Sequence, residues 1–246
     1  MNNLEIVEVG GLKFYTRTGT SDRKGIDEVV AGKGYKRSKP FSFVPEVGET
    51  WIDLGANVGA FSVWALAHGA KEVIAFEPDP ESAQMCEMNL RAQELKPYQS
   101  FKVHQLAMVA DERESATLYQ NTAKGNVWRN SIERPWRGGE SVTVKCVSMA
   151  KRMEAEVGPV NLKIDIEGTE MPIIEMLVAH PEYMKKINKM AFEWSFDVDP
   201  SLIRFRNVMN KLREYFPNVA PGNMYEAEDV WPASWFPPCK TIFCKK

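Results

Sequence analysis

The chain has 246 residues, a formal net charge of −2, 26% charged and 44% hydrophobic residues, enough for one large domain or two small ones that bury roughly 70% of the unfolded surface without staples. The near-neutral balance argues against whole-surface binding to nucleic acid or membrane. The four cysteines (Cys86, Cys146, Cys239, Cys244) lack a second close pair for a zinc site, and with no signal-type opening and no apolar run near about 18 residues, a reduced, soluble, cytoplasmic protein with no membrane partner is expected.

Residues 1–20 alternate apolar and polar (Leu4, Ile6, Val9, then Leu12, Phe14) around Gly10-Gly11, which predicts a hairpin. Residues 21–47 are polar and glycine-bearing and end on Pro40 and Pro45. Between Gly11 and Lys39 eight basic residues face three acidic ones (Asp22, Asp27, Glu28). Such a segment can cover a pocket and touch an acceptor, or it is a solvated surface; a local patch could hold a phosphate or nucleic-acid backbone.

Trp51 to Leu54 is a short apolar run suited to a strand buried on both faces. Gly55-Ala56-Asn57-Val58-Gly59 follows as a tight turn, then a helix over about 59–68 that stops at Gly69. The N-terminus of that helix favours an anionic group. Val73 to Phe76 is the next strand, and Glu77, 22 residues after Gly55, stands where an acidic residue accepts from ribose hydroxyls. Asn57 replaces the second glycine of a dinucleotide fingerprint, and Asp53 offers a carboxylate that could accept from an ammonium group. S-adenosylmethionine therefore suits this turn better than NAD; the bland alternative is a tight turn beside a solvated glutamate.

Asp79-Pro80 starts a helix on which Ala83, Cys86 and Leu90 recur at helical spacing. A third strand is expected over Phe101 to Met108, and two more over Ser115 to Tyr119 and Ser141 to Val147. The intervening loop (Asn121 to Glu140) holds Trp128, Arg129, Asn130, Ser131, Arg134, Trp136 and Arg137, a recognition surface or a packed insertion. In Val160 to Gly168, alternation puts Leu162, Ile164 and Ile166 on one strand face and Lys163, Asp165 and Glu167 on the other. Those charges are tolerable if paired, or if aimed into the crevice at the strand's carboxyl end. Thr169 is expected to cap a helix with Pro172 in its first turn. Met190 to Ser195 forms a strand carrying Glu193, Asp199-Pro200 repeats the helix start, and Leu202, Phe205, Met209, Leu212 and Phe216 make an apolar stripe. The tail carries Trp231, Trp235 and Phe236 before a last strand over Lys240 to Cys244. With no repeat or linker, one domain over 1–246 is expected: a cap segment (1–45), a cofactor-binding core (50–195) and a recognition-loop insertion (120–140).

Three blocks resemble the FkbM family of S-adenosylmethionine-dependent methyltransferases: Trp51 to Gly59 with Phe76-Glu77-Pro78; Ala107 with Asp111 and the strand to Tyr119; and Leu162 to Glu170 with Phe192-Glu193. They span about 50–195, and the Lys-Ile-Asp-Ile-Glu-Gly block is the most specific. The resemblance implies an α/β, Rossmann-like class I methyltransferase fold, a seven-stranded mostly parallel sheet with helices on both faces and an antiparallel last strand. It also implies methyl transfer, usually to a hydroxyl oxygen.

With that resemblance, Asp53, Gly55, Asn57 and Gly59 would cradle the methionine end of S-adenosylmethionine. Glu77 would bind the ribose, and Leu106, Ala107 and Met108 would line the adenine. Asp79 is a helix cap first. Asp165, Glu167 and Glu193 are the candidate bases for a hydroxyl acceptor, with Lys163 tuning or pairing with them. The three carboxylates could instead hold a hard cation such as Mg²⁺, a use that no ligand spacing demands. The expected acceptor is a small molecule or saccharide. An RNA ribose 2'-O-methyltransferase and a non-catalytic nucleotide-binding module are the alternatives, and a dehydrogenase is disfavoured by Asn57. Residues 1–45, 120–140 and those beyond 220 would set the acceptor.

Overall fold

The computed structural model describes residues 3–32, 34–36, 40–121, 130–133, 135, 139–195, 201–221 and 239–246. The expected hairpin forms from Leu4–Val9 (β1) and Leu12–Arg17 (β2), paired antiparallel so that Val9 faces Leu12. Gly10 and Gly11 between them both have positive φ, as a two-residue hairpin turn requires. The polar stretch that follows holds a short helix, Asp22–Ile26 (α1), and a π-helical turn, Asp27–Gly32, which its glycines concealed.

The core alternates strand and helix: Thr50–Leu54 (β3), Ala60–Ala67 (α2), Glu72–Phe76 (β4), Pro80–Arg91 (α3) and Ser100–His104 (β5). Asp79 caps α3, its Oδ2 accepting from Ser82 N at 2.9 Å. The single strand expected over Phe101 to Met108 is two strands in different sheets. His104 O accepts from both Glu77 N and Leu106 N, so the chain turns at Gln105 and Ala107–Val109 (β6) leaves the main sheet. There β6 pairs with Ser141–Ser148 (β8), beside Ser115–Tyr119 (β7).

Met149–Ala155 (α4), Val160–Ile164 (β9), Glu170–Val178 (α5), Pro181–Lys186 (α6), Ile187–Ser195 (β10), Leu202–Tyr215 (α7), Asn218–Pro221 (β11) and Cys239–Lys245 (β12) complete the chain. Ser201 caps α7, accepting from Arg204 N at 3.2 Å; Asp199-Pro200 and the aromatic tail lie outside the described residues, as do Trp128, Arg129, Arg134, Trp136 and Arg137. The β9 strand ends at Ile164, so Asp165, Ile166 and Glu167 do not continue its alternation. Glu167 and Gly168 instead take positive φ (56° and 122°). Thr169 holds the N-cap place of α5 without a side-chain capping bond; Glu170 accepts from Ile166 N and Gly168 N in its stead.

The main sheet has the order β11-β12-β10-β9-β3-β4-β5, and β12 runs antiparallel to both neighbours while the other pairs are parallel. The last strand is thus antiparallel, as expected. Alternation along each strand feeds two cores. Ile52, Leu54, Leu162, Ile164 and Phe192 join α4 to α7 on one face. Trp51, Val73, Ala75 and Phe243 join α2, α3 and the N-terminal hairpin on the other. The hairpin is fastened by Asn89 of α3, whose side chain exchanges two hydrogen bonds with the Tyr15 backbone. The Arg17–Asp22 pair is buried beside it. From β3 the chain first builds outward through β4 to β5 and later through β9 to β10, so the order reverses between β3 and β9. Ligands of open α/β sheets bind at that reversal, beyond the strands' carboxyl ends. No helix among the described residues is long and apolar enough to cross a membrane.

Candidate cofactor and acceptor site

A cavity of about 460 Å³ opens at this reversal. Its walls come from the turn after β3, the end of β4, the ends of β9 and β10, the β6 region and the N-terminal segment.

The turn is shaped by strand packing. Gly55 has φ +75°, and a Cβ there would lie 1.8 Å from the Asp165 carbonyl oxygen, so the close approach its glycine signals is to the end of β9. Gly59 (φ +83°) backs onto Cys86 of α3 and is not on the cavity wall. Asp53 is fully buried behind the wall. Its Oδ2 accepts from Ser62 Oγ at 2.7 Å, and its Oδ1 forms an ion pair at 3.2 Å with Lys163 Nζ. Lys163 Nζ also donates to Leu54 O and Gly55 O (3.2 and 2.7 Å) and lies 3.8 Å from Asp165 Oδ2. Burial pulls the Lys163 pKa down, but Asp53 and Asp165 outweigh it and hold the amine above its usual value. Lys163 is therefore a charged tie between β3 and β9.

Asn57 (φ +48°) and Glu77 form the next part of the wall. Glu77 Oε2 accepts from Asn57 N at 2.8 Å and Oε1 from Asp79 N at 2.9 Å. Burial, with the Asp79 charge beside it, lifts the Glu77 pKa to about 7. Asp79 itself is a cap whose second oxygen accepts from Gln120 Nε2 at 2.6 Å. Among the described residues, Asn57 Oδ1 and Thr169 Oγ1 are buried without a hydrogen-bond partner, and both residues line the cavity. An unpaired buried acceptor costs about 1–3 kcal/mol, which a ligand donor would recover. Ala60 and Phe61, the first residues of α2, and Leu106, Ala107 and Met108 add apolar wall. An acidic, acceptor-rich end beside an apolar slot matches the hydroxyls, ammonium group and aromatic base of S-adenosylmethionine, so the residues present fit that cofactor.

Asp165 lies just past β9, and its Oδ2 accepts from the Tyr35 hydroxyl at 2.6 Å. Glu193 lies on β10 one residue past Phe192, which is paired with Ile164. Asp165, Glu167 and Glu193 all line the cavity. Glu167 is held by its backbone, whose carbonyl accepts from Ser131 Oγ at 2.7 Å. The loop that carries Asp165 to Gly168 is tied from below by Glu170. That carboxylate is buried, accepts from Ile166 N (3.0 Å) and Gly168 N (2.9 Å), and burial raises its pKa to about 7. Among the described residues no group of three His, Cys, Asp or Glu side chains is placed to hold a metal ion.

Sequence reasoning missed Tyr35 and Glu170. Tyr35 is an aromatic residue in a polar, glycine-rich stretch, a mismatch that could have marked it. Glu170 follows the positive-φ Gly168 at the start of a helix, where a self-capping carboxylate is at home. The basic character of 11–39 is partly neutralised within the segment: Arg17 pairs with Asp22, Arg23 with Asp27 and Lys24 with Glu28. Lys36 is exposed; Lys33, Arg37 and Lys39 lie outside the described residues.

The sheet order, the single antiparallel strand and the cavity at the strand reversal define a Rossmann-like fold of the S-adenosylmethionine-dependent methyltransferases. The family model for the methyltransferase FkbM domain matches residues 53–215, and the chain belongs to that family. Among solved structures it is similar to SMU.776, a candidate methyltransferase complexed with S-adenosylhomocysteine (12% identity, 99% of this chain and 56% of that one, TM-score 0.50). It is also similar to the Pyrococcus abyssi tRNA (uracil-54, C5)-methyltransferase (10% identity, 98% and 44%, TM-score 0.45) and to M. jannaschii TYW2 in complex with AdoMet (9% identity, 100% and 88%, TM-score 0.45). The chain spans about half the length of the first two. No curated protein matches it.

Proposed function

We propose that this FkbM-family protein transfers a methyl group from S-adenosylmethionine to a hydroxyl oxygen of a small molecule or sugar. The observation that carries the reading is the Asp165 carboxylate on the cavity wall, which accepts from the Tyr35 hydroxyl and shares that wall with Glu193. Glu77 and Asn57 Oδ1 would receive the cofactor's donors, and Leu106 to Met108 would flank its base. Asp53 and Lys163 keep β3 and β9 together under that site. When bound, the cofactor supplies a methyl group on a positively charged sulfur. Asp165 would take the proton of the acceptor hydroxyl as the hydroxyl oxygen gains the methyl group and the sulfur–methyl bond breaks to leave S-adenosylhomocysteine, with Glu193 and Glu167 as the other carboxylates on the same wall. Positioning of the acceptor supplies much of the remaining rate.

The test begins with calorimetric titration of the protein with S-adenosylhomocysteine, with NAD as control; binding of NAD alone would overturn the cofactor assignment. Asp165→Asn should bind S-adenosylhomocysteine as the wild type does and lose about 10²–10⁴-fold in labelled-methyl transfer to a panel of sugars and polyols. Turnover that survives the substitution removes Asp165 from the base role.

A further inference from the structure

The N-terminal segment contributes one buried aromatic side chain to the cavity. Tyr35 is 5% exposed, its ring set edge-on to Phe61 at a centroid distance of 5.2 Å, with Lys163 Nζ 5.7 Å from the ring centre. Its hydroxyl donates to Asp165 Oδ2 at 2.6 Å, across 130 positions of sequence. The segment is built to hold this ring: Gly34 N donates to Glu28 O at 3.1 Å, and a Cβ at Gly34 would stand 3.3 Å from the same oxygen. Burial and the charges of Asp165 and Glu193 push the Tyr35 phenol well above its usual pKa, so it stays protonated and keeps the proton it donates to Asp165. With Oδ2 facing both the phenol and Lys163 (3.8 Å), the carboxylate's Oδ1 is the oxygen left for an incoming hydroxyl.

We propose that Tyr35 is a positioning residue for Asp165: the N-terminal segment supplies the hydroxyl that fixes one carboxylate oxygen and so aims the other at the acceptor. This rests on the reading of Asp165 as the proton acceptor. A hydrogen bond donated to a carboxylate favours its ionised form. Among the described residues, Lys163 on β9 and Glu170 on α5 interact electrostatically with Asp165, and Glu167 and Glu193 share its wall; all remain in a Tyr35→Phe variant.

The measurement is ¹³C NMR of full-length protein labelled at tyrosine Cζ and saturated with S-adenosylhomocysteine, with the Tyr35 signal assigned by its loss in Tyr35→Phe. The Tyr35 resonance should shift between the wild type and Asp165→Asn, and an identical resonance overturns the contact. Methyl transfer keeps the two claims apart. If Asp165→Asn turns over like the wild type, the base reading falls whatever the resonance shows. If Asp165 is required, Tyr35→Phe should lower kcat while KM holds; an unchanged kcat sinks the positioning role.

Discussion

Glu77 and Glu170 show the same device used for two ends. Each is a buried carboxylate that accepts two backbone N–H groups from a turn. Each turn contains a non-glycine residue with positive φ, Asn57 or Glu167. In both, burial lifts the pKa to about 7. Yet Glu77 reaches back 20 positions, joins the end of β4 to the turn after β3 and stands on the cavity wall. Glu170 works within its own helix start and stands behind the wall. A carboxylate that both shapes a turn and faces a ligand should couple binding to local order. One that only shapes a turn should affect the ligand through the groups it positions.

The comparison breaks most severely at Gly55, where both halves meet. Gly55→Ala would drive a Cβ into the Asp165 carbonyl at positive φ. We expect a loss of more than about 4 kcal/mol or failure to fold, read by denaturant unfolding; a folded, binding-competent variant would mean that the two strand ends can separate freely. Next comes Glu77→Ala, which should weaken S-adenosylhomocysteine binding about 10–100-fold by calorimetry, the equivalent of about 1.4–2.8 kcal/mol. Wild-type affinity should also fall as pH drops below about 7, where Glu77 takes up its proton, and the variant should lack that dependence. Affinity equal to wild type removes Glu77 from the ligand.

Glu170→Gln should leave binding within about threefold and act on stability. The folded pKa of about 7 lies above the ordinary glutamate value of 4.5, so the native state holds this proton more tightly than the unfolded chain does. The contribution therefore turns unfavourable as pH rises from about 4.5 to about 7, by at most about 3 kcal/mol. Glutamine does not ionise, so the difference in unfolding free energy should move in the variant's favour across that window. A pH-independent difference would show that Glu170 is not the titrating group.

What was legible in the sequence followed local rules. The buried run of β3, the Asp79 cap and the glycine-ended α2 are each decided within a few residues, and so was the family-specific block around Asp165. The misreadings arose where tertiary contact overrides local pattern. Alternation carried β9 on to Glu167, but the ladder stops once Asp165 N donates to Leu54 O and the chain turns onto Glu170. The stretch from Phe101 to Met108 reads as one strand because nothing local marks Gln105 as the turn between two sheets. Tyr35 carried a local signal, an aromatic ring in a polar stretch, but its role depends on a partner 130 residues away that no local pattern names. The roles of the wall residues were read from the same motifs, and the experiments above test them.

The Lys163 tie has a consequence for the birth of the molecule. Its amine reaches Gly55 O from 108 positions downstream. At about 5–20 residues per second, the ribosome needs roughly 5–20 s to make that stretch. Throughout that interval β3 can pair with β4, but its other hydrogen-bonding edge, with Trp51 to Leu54 along it, waits for β9. A bare apolar edge is a template for pairing with other chains, so this interval is when a nascent copy is most exposed to aggregation. The cavity, which is walled from both sides of that seam, is among the last features the chain completes.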